Sequence, residues 1–267
     1  MSYLYVDGCS FTWGTELDNP PEENWGYFLG KKLGLSVINN SYAGQGNDEI
    51  FRKVYELVYI TENYLNNYQH KIENSSSLPS VIVIQLSELT RIRIFDDIDM
   101  KWKSASESSW NFPKKTRDYY LKYYYSVYQN VYNLFVQMLL LKDKCDSLGI
   151  EFYVFDGICD INLHCLRDIR DVKGNQEKIK LLYLYQSIKD KKFLLYNGDY
   201  SWNNINKEDE FHNANIILNY HDLFWKNRPG KPEVGEWSLD DGHPTKESHE
   251  FMANEIFNFI GEPNEKV

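Results

Sequence analysis

The chain has 267 residues, of which 42% are hydrophobic and 25% charged, proportions that suit one large domain around a single core. A formal net charge of −10 repels phosphate backbones and anionic lipid, which argues against a nucleic-acid partner and against a polybasic membrane attachment. The opening Met1-Ser2-Tyr3-Leu4-Tyr5-Val6 lacks a basic region and a long apolar run, and the stretch around Leu139-Leu140-Leu141 is too short to span a bilayer, so a soluble, cytoplasmic protein is expected.

Taken in chain order, the pattern alternates strand and helix. Residues 3–6 form a short apolar run ended by Asp7-Gly8, which reads as a first strand. Residues 25–33 carry apolar side chains at helical spacing, and Gly34 suits the C-cap. A second short strand follows at 36–39. Residues 48–64 align Ile50, Val54, Leu57, Val58 and Ile60 along one helical stripe. Val81-Ile82-Val83-Ile84 is a continuous β-branched run, as in a strand buried on both faces of a parallel sheet.

A long helix is predicted over 115–148, from Leu121, Tyr125, Tyr128, Val131, Tyr132, Phe135, Met138 and Leu139 at steps of three or four, with Gly149 ending it. Residues 150–155 read as the next strand and 193–196 as a fifth. Residues 245–260 form an amphipathic closing helix with Phe251, Ile256 and Ile260 on its apolar face. The predicted fold is therefore a single α/β domain, an open parallel sheet of about five strands with helices on both faces. The stretches 95–113 and 160–192 are long for connections and are read as insertions that form a lid or a substrate-binding edge.

In such a sheet, ligands bind outside the carboxyl ends of the strands, so the residues just after each strand carry the chemistry. After the first strand comes Gly8-Cys9-Ser10-Phe11-Thr12. A serine there can sit on a sharp turn into a helix, with the next backbone amides aimed at an oxyanion. A turn with a helix-capping serine is the plainer reading. After the second strand, Asn39-Asn40-Ser41-Tyr42-Ala43-Gly44-Gln45-Gly46-Asn47-Asp48 offers glycines that admit close approach of a ligand, and Asn47 or Asp48 to cap the next helix. Before the closing helix stands Asp240-Asp241-Gly242-His243-Pro244-Thr245. Asp-x-x-His on one loop can deliver a base and the acid that orients it, which a nucleophilic serine requires.

The three segments meet at one sheet edge, and together they resemble the SGNH/GDSL hydrolase family. Gly8-Cys9-Ser10-Phe11-Thr12 looks like the family's nucleophile block. Val37-Ile38-Asn39 through Gly44 looks like its second block, and Asp240 with His243 like its last. The resemblance implies a three-layer α/β/α, flavodoxin-like fold and a serine esterase with Ser10 as nucleophile, His243 as base and Asp240 as acid. The amides of Ser10 and Gly44 would bind the oxyanion. No metal or cofactor is implied, and the partner is a small-molecule or carbohydrate ester, an O-acetyl group on a sugar among them.

The chain departs from the family pattern at three places. Cys9 replaces the aspartate before the serine, with its side chain expected to point away from Ser10, and Phe11 replaces the leucine. In the third block, Gln85-Leu86-Ser87-Glu88 puts Ser87 where an oxyanion-binding asparagine is expected. Losing one such donor costs on the order of a hundred- to a thousandfold in turnover; the hydroxyl of Ser87 or the amide of Asn47 is the replacement. An acyltransferase with the same triad, a non-catalytic binding protein on the same scaffold and a phosphoryl-transfer enzyme are the other readings, the last lacking a Walker sequence.

Arg91 at the same edge can orient a carboxylate or phosphate, or pair with a surface acid. Trp13 and Trp237 flank the two strongest motifs and suit either a substrate wall or ordinary packing. Cys9, Cys145, Cys159 and Cys165 fit no zinc or Cys-x-x-C spacing and are expected as free thiols. His70, His164, His212, His221 and His249 show no metal-ligand spacing, and His249 is expected on the surface of the closing helix. The sequence sets no oligomeric state.

Overall fold

The first strand, β1 (Tyr3–Asp7), is buried along its whole length because it lies between two parallel partners. The computed structural model describes residues 2–59, 78–89, 91–96, 101–105, 114–156 and 243–261, together with residues 176, 180, 181, 183, 184, 187 and 188. Within these, β2 (Ser36–Asn39), β1, β3 (Val81–Leu86) and β6 (Glu151–Asp156) form a parallel sheet in the order β2-β1-β3-β6. Tyr5 stands opposite Ile38 on one side and Ile82 on the other, while Ile84 stands opposite Val154. The carboxyl ends at Asp7, Asn39, Leu86 and Asp156 thus lie along one edge. Four parallel strands are described; the fifth predicted at 193–196 lies outside the described residues.

The two-residue period of a strand sends alternate side chains to opposite faces, and each face has its own core. Tyr3, Tyr5, Ile82, Ile84, Phe152 and Val154 pack with α4 (Asn47–Tyr59) and the long helix α6 (Val127–Ser147). Leu4, Val6, Val81, Val83 and Phe155 pack with α3 (Trp25–Leu33) and the closing helix α7 (Lys246–Ile260). The result is the three-layer α/β/α sandwich that the alternation predicts. A separate antiparallel ribbon, β4 (Ile92–Asp96) with β5 (Lys101–Ala105), follows β3. Leu181 and Ile188, from the stretch read as the second insertion, are buried in the first core.

Two expectations are corrected here. The helix predicted over 115–148 is two helices, α5 (Lys114–Tyr123) and α6. The apolar spacing runs on through the break, but Ser126 has extended backbone and its Oγ accepts the Gln129 N–H at 3.2 Å, which starts a new helix. His249 is not a surface residue: it is fully buried, on the same stripe of α7 as Met252, Ala253 and Ile256. Its Nδ1 accepts the Trp25 N–H at 3.1 Å, satisfying one of the amides left open at the start of α3. Asn24 caps another, accepting the Tyr27 N–H at 3.0 Å.

Burial, with a smaller contribution from His243, pushes the His249 pKa down to about 3. The imidazole is therefore neutral in the folded chain at neutral pH. Between the ordinary histidine value of about 6.5 and about 3, acid protonates the unfolded chain and not the folded one, so His249 costs stability progressively as pH falls through that window. By pH 5 that cost is about 2 kcal/mol. His249→Asn keeps an acceptor for Trp25 and removes the titration. Urea unfolding at pH 7.5 and pH 5 should show wild type losing about 2 kcal/mol more than the variant over that interval; equal losses would refute the account.

Candidate active site

The strand order reverses direction beside β1, so the crevice between the ends of β1 and β3 is the place where an open α/β sheet takes ligands. β1 passes there into a single helical turn, α1 (Ser10–Trp13). Cys9 has extended backbone, and its carbonyl accepts the N–H groups of Thr12 at 3.0 Å and Trp13 at 2.9 Å. A Cβ at Gly8 would collide with Thr12 Oγ1 and stand 3.0 Å from Gln85 Cβ, so glycine is what allows so tight a handover from strand to helix. Thr12 Oγ1 donates to Gln85 Oε1 on β3, and Asn39 Nδ2 at the end of β2 donates to the Thr12 carbonyl at 2.9 Å. The turn is tied to both neighbouring strands.

Ser10 opens this turn, partly exposed. Cys9 beside it is wholly buried. Burial pushes the Cys9 thiol pKa up, against the Phe11 backbone, the Arg91 charge and the Ser10 hydrogen bond, which pull it down. A protonated thiol closed off from solvent is a poor nucleophile. Ser10, unlike Cys9, is within reach of solvent.

His243 reaches the same place from the other end of the chain. Its ring lies 5.2 Å from that of Phe11, tilted by 55°, and Pro244 behind it is buried. Thr245 then caps α7, its Oγ1 accepting the Ser248 N–H at 3.3 Å. Trp13, at the end of the turn, is 41% exposed. Asp240 and Trp237 lie outside the described residues.

The loop after β2 is held from below by a network that sequence reasoning missed. Asp7 Oδ1 accepts the Gly8 N–H at 2.8 Å, Gln45 Nε2 at 2.9 Å and Lys53 Nζ at 3.0 Å, while Oδ2 accepts the Tyr5 hydroxyl at 2.9 Å. Lys53 Nζ also donates to the Asn40 carbonyl and, at 3.0 Å, to Gln45 Oε1. Burial pushes the Asp7 carboxyl up; the charge of Lys53 and the hydrogen bonds from Lys53, Tyr5 and Gly8 oppose it. One signal was readable: Lys53 falls on the α4 stripe between Ile50 and Val54, where a solvated lysine has no place. Gly44, in the loop so held, has the left-handed φ of 82° that favours glycine.

After β3, Asn47 and Ser87 are locked together. Asn47 Oδ1 accepts the Ser87 N–H at 2.7 Å, and Asn47 Nδ2 donates to the Ser87 carbonyl at 2.8 Å. One Nδ2 hydrogen of Asn47 is left beyond this pair. The Ser87 hydroxyl accepts from Arg91 Nη1 at 3.1 Å, which leaves its own hydrogen to donate. Ser10, Gly44, Asn47, Ser87, Arg91 and His243 thus come from loops and helix starts at one edge of the sheet. No group of acidic, cysteine and histidine side chains suited to a metal ion occurs among the described residues.

No protein-family model and no curated protein matches the chain. Among solved structures it is similar to TesA, at 13% identity over 97% of this chain and 98% of that one, with a TM-score of 0.45. It is likewise similar to the psychrotrophic esterase EstA from Pseudoalteromonas sp., at 14% identity over 97% of each chain and a TM-score of 0.44. A third is a member of the lipolytic protein G-D-S-L family from Veillonella parvula, at 12% identity over 96% of each chain and a TM-score of 0.40.

Breaking the buried pair strands a charge. Lys53→Met should destabilise the fold by about 3–5 kcal/mol. Asp7→Asn combined with Lys53→Met should recover part of that loss, because no unpaired charge remains. Urea midpoints of the single and double variants measure both; additive losses would show that the two side chains are not coupled.

Proposed function

We propose that the chain is a serine hydrolase of the SGNH/GDSL class that cleaves a carboxylic ester through an acyl-enzyme on Ser10. The observation that carries the reading is the meeting of two distant segments. Ser10 stands partly exposed on the tight turn after β1, and the His243 ring packs against Phe11, the next residue. A hydroxyl nucleophile and an imidazole base brought together at the carboxyl edge of a parallel sheet are the parts that acyl transfer needs.

In this mechanism Ser10 Oγ attacks the ester carbonyl carbon while its proton passes to His243. Asp240, three residues earlier in the sequence, orients the imidazole and stabilises its charged form. The oxyanion accepts hydrogen bonds from the amides of Ser10 and Gly44, with the Ser87 hydroxyl or the remaining Asn47 Nδ2 hydrogen as a third donor. The tetrahedral intermediate collapses, the C–O bond to the alcohol breaks, and His243 returns the proton to the leaving oxygen. Water then repeats the sequence on the acyl-Ser10 ester. Trp13, exposed beside the nucleophile, suits a sugar ring bearing an O-acetyl group.

The first test is hydrolysis of p-nitrophenyl acetate and butyrate. Ser10→Ala and His243→Ala should each lower kcat/KM by about a thousandfold or more with the fold intact. A fluorophosphonate should label wild type at Ser10 and not Ser10→Ala. Turnover unchanged in either variant would sink the mechanism. A wild type that neither hydrolyses nor labels would make the site a binding pocket.

A further inference from the structure

The Arg91 side chain is only 10% exposed, yet its hydrogen bonding is incomplete. Nη1 donates to Ser87 Oγ at 3.1 Å. Nε is buried and makes no hydrogen bond among the described residues. Nη2 forms an ion pair with Glu88 Oε2 at 3.6 Å, too long for a hydrogen bond. The side of the guanidinium formed by Nε and Nη2 is the edge that offers two parallel N–H donors to a carboxylate. A buried charged donor left without an acceptor is costly, and the cost vanishes when an anion occupies the fork.

The position of Arg91 points to the reaction site. It follows β3 at the edge of the β1–β3 crevice, and its backbone carbonyl lies 2.7 Å from where a Cβ on Gly46 would stand, so it is packed onto the Gly44 loop. Its charge acts on Cys9, the neighbour of Ser10. No other cation among the described site residues has a donor left over: Lys53 spends its hydrogen bonds on Asp7, Gln45 and Asn40.

We infer that Arg91 is a specificity residue whose free Nε–Nη2 edge binds a carboxylate on the substrate, so that the preferred esters are anionic. The inference rests on the hydrolase reading for the reaction and on the geometry of Arg91 for the anion. Glu88 is the resident competitor, close enough to weaken the site and too far to fill it. An incoming carboxylate takes the fork that Glu88 leaves unfilled.

The experiment compares mono-p-nitrophenyl adipate with its neutral methyl ester, in wild type, Arg91→Met, Arg91→Lys and Glu88→Gln, each checked for folding by circular dichroism. Wild type should prefer the anionic ester by about tenfold or more in kcat/KM. Arg91→Met should abolish the preference, Arg91→Lys should keep only part of it because it lacks the fork, and Glu88→Gln should increase it. A preference absent in wild type, or kept in Arg91→Met, overturns the inference. Should Arg91→Met fail to fold, Arg91→Lys and Glu88→Gln decide, and an unchanged preference in both overturns it. Failure of the hydrolase reading is separate: no protein would then cleave either ester. Calorimetric titration with disodium glutarate still tests the anion site. Binding to wild type that is at least about tenfold weaker in the Arg91 variants upholds it, and no binding to wild type overturns it.

Discussion

The buried ion pair between Asp7 and Lys53 is the constraint on which the rest of the site depends. Asp7 is the last residue of the central strand, and Lys53 sits mid-way along α4. Two charges removed from water are expensive unless their remaining bonding capacity is filled. Here it is filled: the carboxylate also receives Gly8, Gln45 and Tyr5, and the ammonium also reaches Asn40 and Gln45. Three elements are held in one geometry, because moving any of them would leave a buried donor or acceptor unmet. The loop that carries Gly44 is built on this base, and so is the turn that carries Ser10.

The carboxyl edge of the sheet has two kinds of polar residue. Asp7, Lys53, Gln45, Asn39 and Thr12 spend their hydrogen bonds on one another, on backbone or on the neighbouring Tyr5, Ser41 and Gln85, and they act as scaffold. Asn47 belongs mostly with them, since both ends of its amide grip the backbone of Ser87. The Ser87 hydroxyl and Arg91 keep capacity in reserve. Chemistry needs groups placed to a fraction of an ångström and still free to act, and a saturated layer beneath an unsaturated one provides both. The apolar cores on the two faces of the sheet hold the layers together without bearing on which residues react.

Legibility followed the range of the interactions. The run Val81-Ile82-Val83-Ile84 announced a buried parallel strand because the signal is local composition. The stripe on 48–64 announced α4 for the same reason. The break at Ser126 was hidden, since the apolar spacing runs straight through it and only the serine's hydrogen bond to Gln129 marks a new start. A histidine on a helix suggests a solvated side chain, yet the spacing of His249 to Met252, Ala253 and Ile256 puts it on the buried apolar stripe. Lys53 on α4 is the same case.

The sequence by itself determined the alternation of strands and helices and the α/β class. It also singled out Ser10 and His243, because a glycine-bounded serine after a strand and a histidine before a capped helix are written in consecutive residues. Only the tertiary structure decided what stands between those segments. The Asp7–Lys53 pair, the Asn47 clamp on Ser87 and the burial of His249 against Trp25 each join residues from different elements. No local pattern specifies such pairings, since they arise when packing removes polar groups from water and obliges each one to find a partner.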